Sequence, residues 1–210
     1  MKVTGTINVY DFIIMRDSMP KLTALNLKDV RIKRVYNYTV GGVEYWTDHA
    51  EDDVLPFNSF TGKRTLTSFV FPDVLNRIDV GAFAGAGLKG SLNIPEGVVE
   101  IGPGAFKDNY FTGILTLPST LKKIGDSAFS ECCFICPLNL PDGIEEIESR
   151  CFYNCRYLYG KLILPSHLKK LGSDAFAKCS GLKGDLVIPK SLTVIPPYAF
   201  DACGLGGRLQ

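Results

Sequence analysis

Phenylalanine recurs along this chain at a nearly constant interval, and this spacing constrains the fold more than any other feature. Seven phenylalanines are separated by 23 residues four times and by 24 residues twice, namely Phe60, Phe83, Phe106, Phe129, Phe152, Phe176 and Phe200. Each of the last six follows an isoleucine or leucine by five residues, and that residue follows a proline by six. Fixed spacings of this kind indicate internal repeats of one structural unit. One unit cannot bury its own apolar stripe, so the units are expected to stack into a solenoid.

The columns of the repeat predict how each coil folds. Leu115 and Leu117 stand two apart before a proline, so both side chains share one face of a short strand that the proline ends. Leu121 and Ile124 indicate a second short extended segment, and residues 126–129 predict a helical turn. We therefore expect an α/β solenoid of mainly short parallel strands, with coils of 23–24 residues.

Two columns of small residues mark the places where neighbouring coils crowd together. The residue before phenylalanine is small in every coil: Ser59, Ala82, Ala105, Ala128, Cys151, Ala175 and Ala199. A glycine stands before most proline-side strands, where positive φ or close backbone approach is expected. The members of this column are Gly90, Gly113, Gly160, Gly184 and Gly207, with Cys136 in place of a glycine.

Residues 1–60 do not follow the 23-residue pattern, and we interpret them as an N-terminal cap and first leucine-rich repeat with a hairpin. Residues 22–32 fit the spacing LxxLxLxxNxL, with leucine, valine and isoleucine at the apolar positions. A helix is predicted from Asp11 to Met19, and a hairpin from Val35 to Trp46 around Gly41-Gly42. Residues 61–210 are expected to continue the same solenoid.

The last residues align with the middle of a strand in earlier coils, and no capping segment follows them. The expectation is that the chain is truncated there or that a partner covers the last coil.

The repeat pattern LxIPxxΦxxIGxxAFxxC resembles the BspA-like, or Treponema-type, leucine-rich repeats. Matching segments are LNIPEGVVEIGPGAFKDN, LTLPSTLKKIGDSAFSEC and LVIPKSLTVIPPYAFDAC. The resemblance implies a leucine-rich-repeat solenoid that is extracellular or attached to the cell surface, and that binds other molecules in the manner of an adhesin. It implies no shared catalytic or ligand residues. The departures are Cys136, Pro56 and Pro196, each standing where glycine is usual, and a first segment without the apolar core of an export signal.

Composition narrows the range of partners. With 23 basic and 22 acidic residues the formal net charge is +1, which provides no basic field for nucleic acid. No apolar run approaches the roughly 20 residues that span a bilayer, so this segment is not expected to insert into a membrane. The expected partner is a protein or glycan ligand.

Three motifs that could carry chemistry are interpreted as structural. The segment Gly85–Gly90 reads GxGxxG, but it stands before a strand rather than a helix. The cysteines three residues after phenylalanine share a column with Ala86 and Asn109, which favours buried packing around a backbone hydrogen bond. For the CxxC pair Cys133 and Cys136, packing, a disulfide, or a metal or redox site all stay open.

No catalytic residue and no cofactor is expected from the sequence. His49 and His167 lack partners at the spacing of known catalytic motifs. The pairs at 122–123, 145–146 and 169–170 alternate between lysine and glutamate, and are expected to form a surface ladder of opposite charges on neighbouring strands.

Tyrosine and arginine give the strongest hint of a binding site. Tyr153, Arg156, Tyr157 and Tyr159 crowd the segment 151–160, and Tyr110 shares the column of Arg156 two coils away. These residue types dominate interface energies. The alternative is that the longer segment covers an edge of the solenoid and packs its rings there.

The hairpin offers a weaker candidate with three tyrosines and the single tryptophan, Tyr36, Tyr38, Tyr45 and Trp46. These rings are more simply interpreted as the apolar area that a cap needs. The sequence thus favours a binding module, with a structural spacer that displays another domain as the second hypothesis and an enzyme as an unsupported third.

Overall fold

The computed structural model describes residues 1–35, 37–40, 43–46 and 52–206. In this part of the chain one α-helix, α1 (Val9–Asp17), lies between the first and second of a series of short strands. The strands are β1 (Gly5–Ile7), β2 (Ala24–Asn26), β3 (Val30–Ile32), β4 (Asn37–Val40), β5 (Val43–Trp46), β6 (Val54–Leu55), β7 (Ser68–Val70), β8 (Arg77–Ile78), β9 (Lys89–Asn93), β10 (Glu100–Ile101), β11 (Tyr110–Thr116), β12 (Lys123–Ile124), β13 (Glu146–Ile147), β14 (Gly160–Lys161), β15 (Lys170–Leu171) and β16 (Leu182–Lys183).

The second extended segment of each coil forms the longest sheet. Its strands lie in the order β15-β13-β12-β10-β8-β6, and all of them are parallel. Neighbours in the sheet are one coil apart, so that Ile101 pairs with both Ile78 and Ile124. The sheet therefore runs along the solenoid axis, and the predicted parallel-strand solenoid is confirmed.

The proline-side strands pair only in places, as β2 with β7, β9 with β11 and β14 with β16. The predicted strand is absent from residues 138–140 and 162–164, so the expectation of one in every coil is wrong; within 186–188 only Leu186 takes part in a bridge. The inward side chains Leu138, Leu162 and Leu186 are nevertheless buried. Alternation alone buries them, whereas a strand also needs hydrogen-bonding neighbours, and Pro137 has no N–H to offer.

The helical turn predicted around phenylalanine is also wrong. The segment forms consecutive turns, in which Ala128 N–H donates to the Gly125 carbonyl at 3.2 Å and Ser130 N–H to the Ser127 carbonyl at 3.1 Å. Between these turns Phe129 N–H donates to the Cys151 carbonyl of the next coil at 2.8 Å. The backbone thus bonds alternately within its own coil and to its neighbour, which an α-helix does not permit.

Left-handed backbone on both sides of phenylalanine explains this geometry. The residues two before and two after each phenylalanine all have positive φ: Asn58, Gly81, Gly104, Ser127, Arg150, Asp174 and Tyr198, then Gly62, Gly85, Asp108, Glu131, Asn154, Lys178 and Ala202. Only four of these fourteen are glycine, so the sequence did not reveal the requirement. Residues with a Cβ are strained in this region, and the hydrogen bonds between coils hold them there.

Stacked phenylalanine rings fill the centre of the core. Adjacent members of the column have ring centroids 5.3–5.7 Å apart and planes within 17° of each other. Rings at this separation are offset-stacked, the arrangement that aromatic pairs favour. From Phe60 to Phe176 the column is fully buried.

Before the repeats, α1 docks on the first coil of this column. It begins two residues before the predicted Asp11, because Asn8 caps it and Asp11 bonds back to the Asn8 N–H at 2.8 Å. Phe12 lies edge-on to Phe60 with centroids 5.7 Å apart. At the other end of the helix the buried Lys63 ammonium donates to the carbonyls of Arg16 and Met19, where the helix dipole favours a cation.

The predicted hairpin is confirmed at the backbone level. Strands β4 and β5 pair antiparallel with Val40 opposite Val43, while Gly41 and Gly42 lie outside the described residues. The division at residue 60 into a cap and a repeat array stays a prediction.

The glycine column shows both features that the sequence predicts for it, positive φ and close approach of neighbouring backbone. Gly90, Gly160 and Gly184 have positive φ. Gly113 is extended, but a Cβ there would lie 2.7 Å from the backbone nitrogen of Ser91 in the preceding coil. Gly207 lies outside the described residues.

We expect Phe129→Ala to lower the free energy of unfolding by about 3–5 kcal/mol, because the ring is buried between stacked neighbours on both sides. Denaturant melts followed by circular dichroism measure this loss. The exposed Val194→Ala is the control and should change stability by less than about 0.5 kcal/mol. A loss below about 1 kcal/mol for Phe129→Ala would contradict the stacked core.

Candidate binding surface

The segment 151–160 exposes two of the rings that the sequence singled out. Tyr157 and Tyr159 are 57% and 48% exposed, and Arg156 is exposed beside them. Arg156 is held by its Nε, which donates to Asn154 Oδ1 at 2.6 Å. The two tyrosines and the arginine therefore project from one coil with a partly ordered guanidinium.

Tyr153 does not join them. It is half-buried in a polar groove on the turn side of the coils, which Asp108, Glu131 and Arg150 also line. Its hydroxyl accepts a hydrogen bond from Lys178 Nζ at 2.5 Å, and that nitrogen lies 4.9 Å from the ring centroid. The hydrogen bond to Tyr153 raises the pKa of Lys178. Tyr153 thus has a partner within the chain and belongs to a different face.

Tyr110 follows Phe106, the third phenylalanine of the column, and its side chain is 57% exposed. It is the first residue of β11 and pairs with Lys89 of β9. Among the described residues no ring contact joins Tyr110, Tyr157 and Tyr159, which makes them separate anchors rather than one aromatic cluster.

Exposed isoleucines occupy the surface between these tyrosines. Ile114, Ile135 and Ile163 are 59%, 55% and 69% exposed. Hydrogen bonds between coils place the segments of Ile114, Ile135 and Tyr159 side by side: Leu115 N–H donates to Cys136 Sγ at 3.5 Å, and Tyr159 N–H donates to the Cys136 carbonyl at 3.1 Å. Ile163 lies four residues beyond Tyr159 in the same coil. We call this surface the apolar strip; it comprises Tyr110, Ile114, Ile135, Tyr157, Tyr159 and Ile163.

The sequence contained a signal for the isoleucines that the search for tyrosine missed. Ile163 stands between two inward leucines before a proline, where period-two alternation points a side chain outward. Other coils carry Asn93, Thr116 and Asn139 at this position, or the valines Val70 and Val187. Of the three aliphatic residues in this outward column, Ile163 is the most exposed, at 69%.

The long sheet presents the predicted ladder of charges. Its outward residues alternate in register, with Glu100 beside Lys123, Lys123 beside Glu146 and Glu146 beside Lys170. Their charged atoms lie 3.9 Å apart in each pair. A closer hydrogen bond to Glu148 raises the pKa of Lys123. These charges partner one another, whereas Nε and Nη2 of Arg77 in β8 are buried without a hydrogen-bond partner.

The cysteine column forms the predicted backbone hydrogen bonds. Cys132, Cys155, Cys179 and Cys203 each donate the thiol to the phenylalanine carbonyl of the preceding coil, at 2.9–3.2 Å. In the same column the side-chain amide of Asn109 donates a hydrogen bond to the Phe83 carbonyl at 2.7 Å. Burial raises the pKa of all four thiols, that of Cys203 to about 11.

All seven cysteines are free thiols in the structure, including Cys133 and Cys136. Cys136 is buried and accepts the Leu115 N–H, whereas Cys133 is half-buried. Within the described part of the chain, no group of three or more His, Cys, Asp or Glu side chains is arranged to hold a metal ion. The CxxC pair is therefore arranged as packing residues.

His167 has partners that sequence spacing did not predict. Stacking brings Asp142 of the preceding coil to Ser166 and His167: Ser166 Oγ donates to Asp142 Oδ2 at 2.8 Å and lies 3.0 Å from His167 Nδ1. The same Nδ1 is 3.4 Å from Asp142. A catalytic relay needs the carboxylate and hydroxyl on opposite ring nitrogens, so this exposed triangle does not form one. His49 lies outside the described residues.

No helix in the described ranges combines the length and the apolarity needed to cross a bilayer.

Comparison with known families identifies the repeat. A family model described as BspA type leucine rich repeat region matches residues 53–183 in six copies. Nothing among the curated proteins that were searched matches this sequence.

Two solved structures have similar chains. A leucine-rich repeat protein from Bacteroides ovatus is 21% identical with a TM-score of 0.47; the match covers 81% of this chain and 52% of that one. The pneumococcal vaccine antigen PcpA is 17% identical with a TM-score of 0.42, over 90% of this chain and 55% of that one. The chain thus spans about half the length of both proteins.

We expect few thiols to react with a maleimide or with Ellman's reagent in the native protein at pH 8. A free thiol with a pKa near 8.5 is partly ionised there, whereas burial keeps the column thiols protonated. Unfolding in guanidinium should release all seven. Rapid labelling of every cysteine in the native state, or zinc in elemental analysis, would contradict this assignment.

Proposed function

This chain belongs to the BspA-type leucine-rich-repeat family, and we propose that it is a non-enzymatic binding module that holds a protein ligand on its apolar strip. The matching family is a repeat region, and no catalytic family is indicated. The observation that carries the proposal is the succession of exposed isoleucines and tyrosines on adjacent coils. Large exposed apolar residues that adjoin one another mark interaction sites more often than isolated ones do.

The energetics of the strip suit an interface. Removing an isoleucine or tyrosine side chain from water contributes roughly 1.5–3 kcal/mol before the costs of association. Tyr157 with Arg156 provides the residue types in which binding energy concentrates. Because Asn154 already orders the guanidinium, less side-chain entropy is lost when a ligand binds.

A protein ligand fits the strip better than a glycan does. Sugar hydroxyls keep hydrogen bonds when they leave water, and burying them against Ile114, Ile135 and Ile163 would leave them unsatisfied. The core of a protein interface, by contrast, is apolar and poor in charge. The charged ladder on the long sheet is satisfied within the chain, so it competes less well for a ligand.

We propose an extracellular or cell-surface location, with an adhesin-like role toward a host or bacterial protein. The family resemblance supports this location. The buried thiols are compatible with an oxidising environment, because Cys132, Cys155 and Cys179 are enclosed and hydrogen-bonded to carbonyls.

To test the proposal, the protein is applied to an array of extracellular-matrix, serum and bacterial surface proteins that also carries glycans. For a bound protein, we expect Arg156→Ala with Tyr157→Ala to weaken binding by about 2 kcal/mol or more, roughly 30-fold in Kd. The melting temperature should barely change, because both side chains are exposed.

Tyr153→Phe is the matched control, since it alters a neighbouring ring that faces the turn groove. It should leave the affinity unchanged. Unchanged binding by the double variant, its unfolding, or binding to glycans alone would contradict the apolar strip as a protein-binding surface.

A further inference from the structure

Two consecutive proline-side strands, β7 and β9, are neighbours along the solenoid but do not pair. β7 bonds to β2 on its other side, and β9 bonds to β11. A single backbone hydrogen bond, from Lys89 N–H to the Thr67 carbonyl at 3.1 Å, joins the two strands where they begin. Nearly all Cα–Cα distances between them exceed 8 Å, whereas paired strands lie about 4.8 Å apart. The strands therefore diverge from a common origin and leave a cleft.

Two phenylalanines distinguish the cleft from the rest of the proline-side surface. The inward pair before the proline is leucine or isoleucine in the five other coils, but it is Phe69 and Phe71 in β7's coil. Their rings meet at 5.0 Å, and Phe69 also lies 4.7 Å from Phe83 in the central column. The two rings make five ring contacts in all and demand more space than leucine does, which favours a wider separation of the strands here.

The cleft has an apolar floor and polar rims. It encloses about 340 Å³, and its apolar walls include Phe69, Leu92, Ile94 and Phe111. Phe69 is only partly buried, whereas the five leucines of the same column are buried. Ser68, Ser91 and Asn93 are exposed along the rims.

Both rims turn unpaired backbone groups into the cleft. Ser68 N–H donates to Thr23 and the Val70 carbonyl accepts from Leu27, so the even-numbered residues of β7 face β2. By alternation, Phe69 presents its N–H and carbonyl to the cleft. On the other side Ile94 N–H donates to Thr116 of β11, so Asn93 presents its backbone groups to the cleft.

An extended chain satisfies both edges at once. One strand inserted between two others needs about 9.6 Å, twice the usual spacing, and nearly all Cα–Cα distances between β7 and β9 exceed the 8 Å that paired strands fall within. An unpaired strand edge is the surface to which extended peptides add. Alternate side chains of such a peptide would point to the apolar floor and to solvent.

Charges at the two ends of the cleft add a second element of complementarity. Lys89 is exposed at the end where the strands begin, and Asp73 is exposed at the end where they finish. Among the described residues neither takes part in an ion pair. A peptide with an acidic residue at one end and a basic residue at the other matches this arrangement.

We propose that the cleft between β7 and β9 binds an extended peptide segment of a partner protein, about five residues long. The peptide has small apolar side chains at alternate positions, an acidic residue facing Lys89 and a basic residue facing Asp73. It adds as a parallel or antiparallel strand and joins β2-β7 and β9-β11 into one five-stranded sheet. This site is separate from Arg156 and Tyr157 and does not depend on the ligand of the apolar strip.

The test is selection of a phage-displayed random heptapeptide library on the full chain. Phe69→Leu with Phe71→Leu restores the residues of the other coils and should close the cleft. We expect selected peptides with alternating small apolar residues, and at least tenfold weaker binding of their synthetic forms to this double variant. Phe152→Leu removes a buried ring that stacks on Phe129 and Phe176, away from the cleft, and is the matched control, which should bind as the unaltered protein does.

Three further measurements keep the test decisive if the double variant fails to fold. Lys89→Glu with Asp73→Lys alters exposed residues only, and it should reverse the preference for acidic and basic peptide ends. In nuclear magnetic resonance the amides of Phe69 and Asn93 should exchange rapidly with solvent in the free protein and slowly with the peptide bound. N-methylation of alternate peptide amides should abolish binding.

Several outcomes would overturn the inference. These are a library with no enrichment, peptides that bind the double phenylalanine variant equally well, or slow amide exchange at Phe69 and Asn93 in the free protein. Self-association that disappears in that variant would assign the cleft to a second copy of this chain instead. Arg156→Ala with Tyr157→Ala should leave peptide binding unchanged, which separates this inference from the proposed function.

Discussion

Stacking of one phenylalanine per coil, held by hydrogen bonds between coils, is the constraint on which the other features depend. Phe129 N–H bonds to the next coil, as do the N–H groups two residues before and after it. These bonds fix the spacing between coils, and the left-handed residues on both sides of the ring make them possible. Once the spacing is fixed, every other column must repeat at the same interval. The thiol of Cys155 therefore reaches the Phe129 carbonyl, and Lys123 meets Glu100 and Glu146 in register.

A solenoid in which each column satisfies its own members leaves little surface with unmet bonding capacity. The charged sheet pairs internally, and the thiols donate to carbonyls inside the core. Binding capacity is therefore concentrated where a coil departs from the repeat. Ile163 departs by exposing the largest aliphatic side chain of its outward column, and Phe69 departs by placing a partly exposed ring where other coils have a buried leucine. Each departure alters the chemistry or size of a side chain outside the central phenylalanine stack, and the stack continues unchanged through that coil. Such a fold can therefore acquire binding sites without losing stability.

Much of the coil was predictable, because periodicity reports directly on burial. The phenylalanine column, the paired inward leucines and the exchange between Asn109 and the cysteines were all read correctly from spacing. The helical turn around Phe129 was wrong, since Ser127 and Glu131 do not resemble glycine and their positive φ is imposed by bonds between coils. His167 was predicted to lack partners because Asp142 is distant in sequence, yet one coil of stacking places them 3.4 Å apart. Tyr153 was grouped with Tyr157 by proximity in sequence, but successive residues of a coil face different sides.

The sequence by itself determined the register: which residues point inward, how long each coil is, and which charges meet on neighbouring strands. These follow from side-chain periodicity, because an apolar column repeated at a constant interval has one way to be buried. Only the tertiary structure decided where the backbone ladder is complete and where it opens. Phe69 and Phe71 occupy ordinary inward positions in the sequence, and nothing in their spacing distinguishes them from leucine. Their consequence appears only when coils stack, because Phe69 then stays partly exposed beside two strands, β7 and β9, that do not pair.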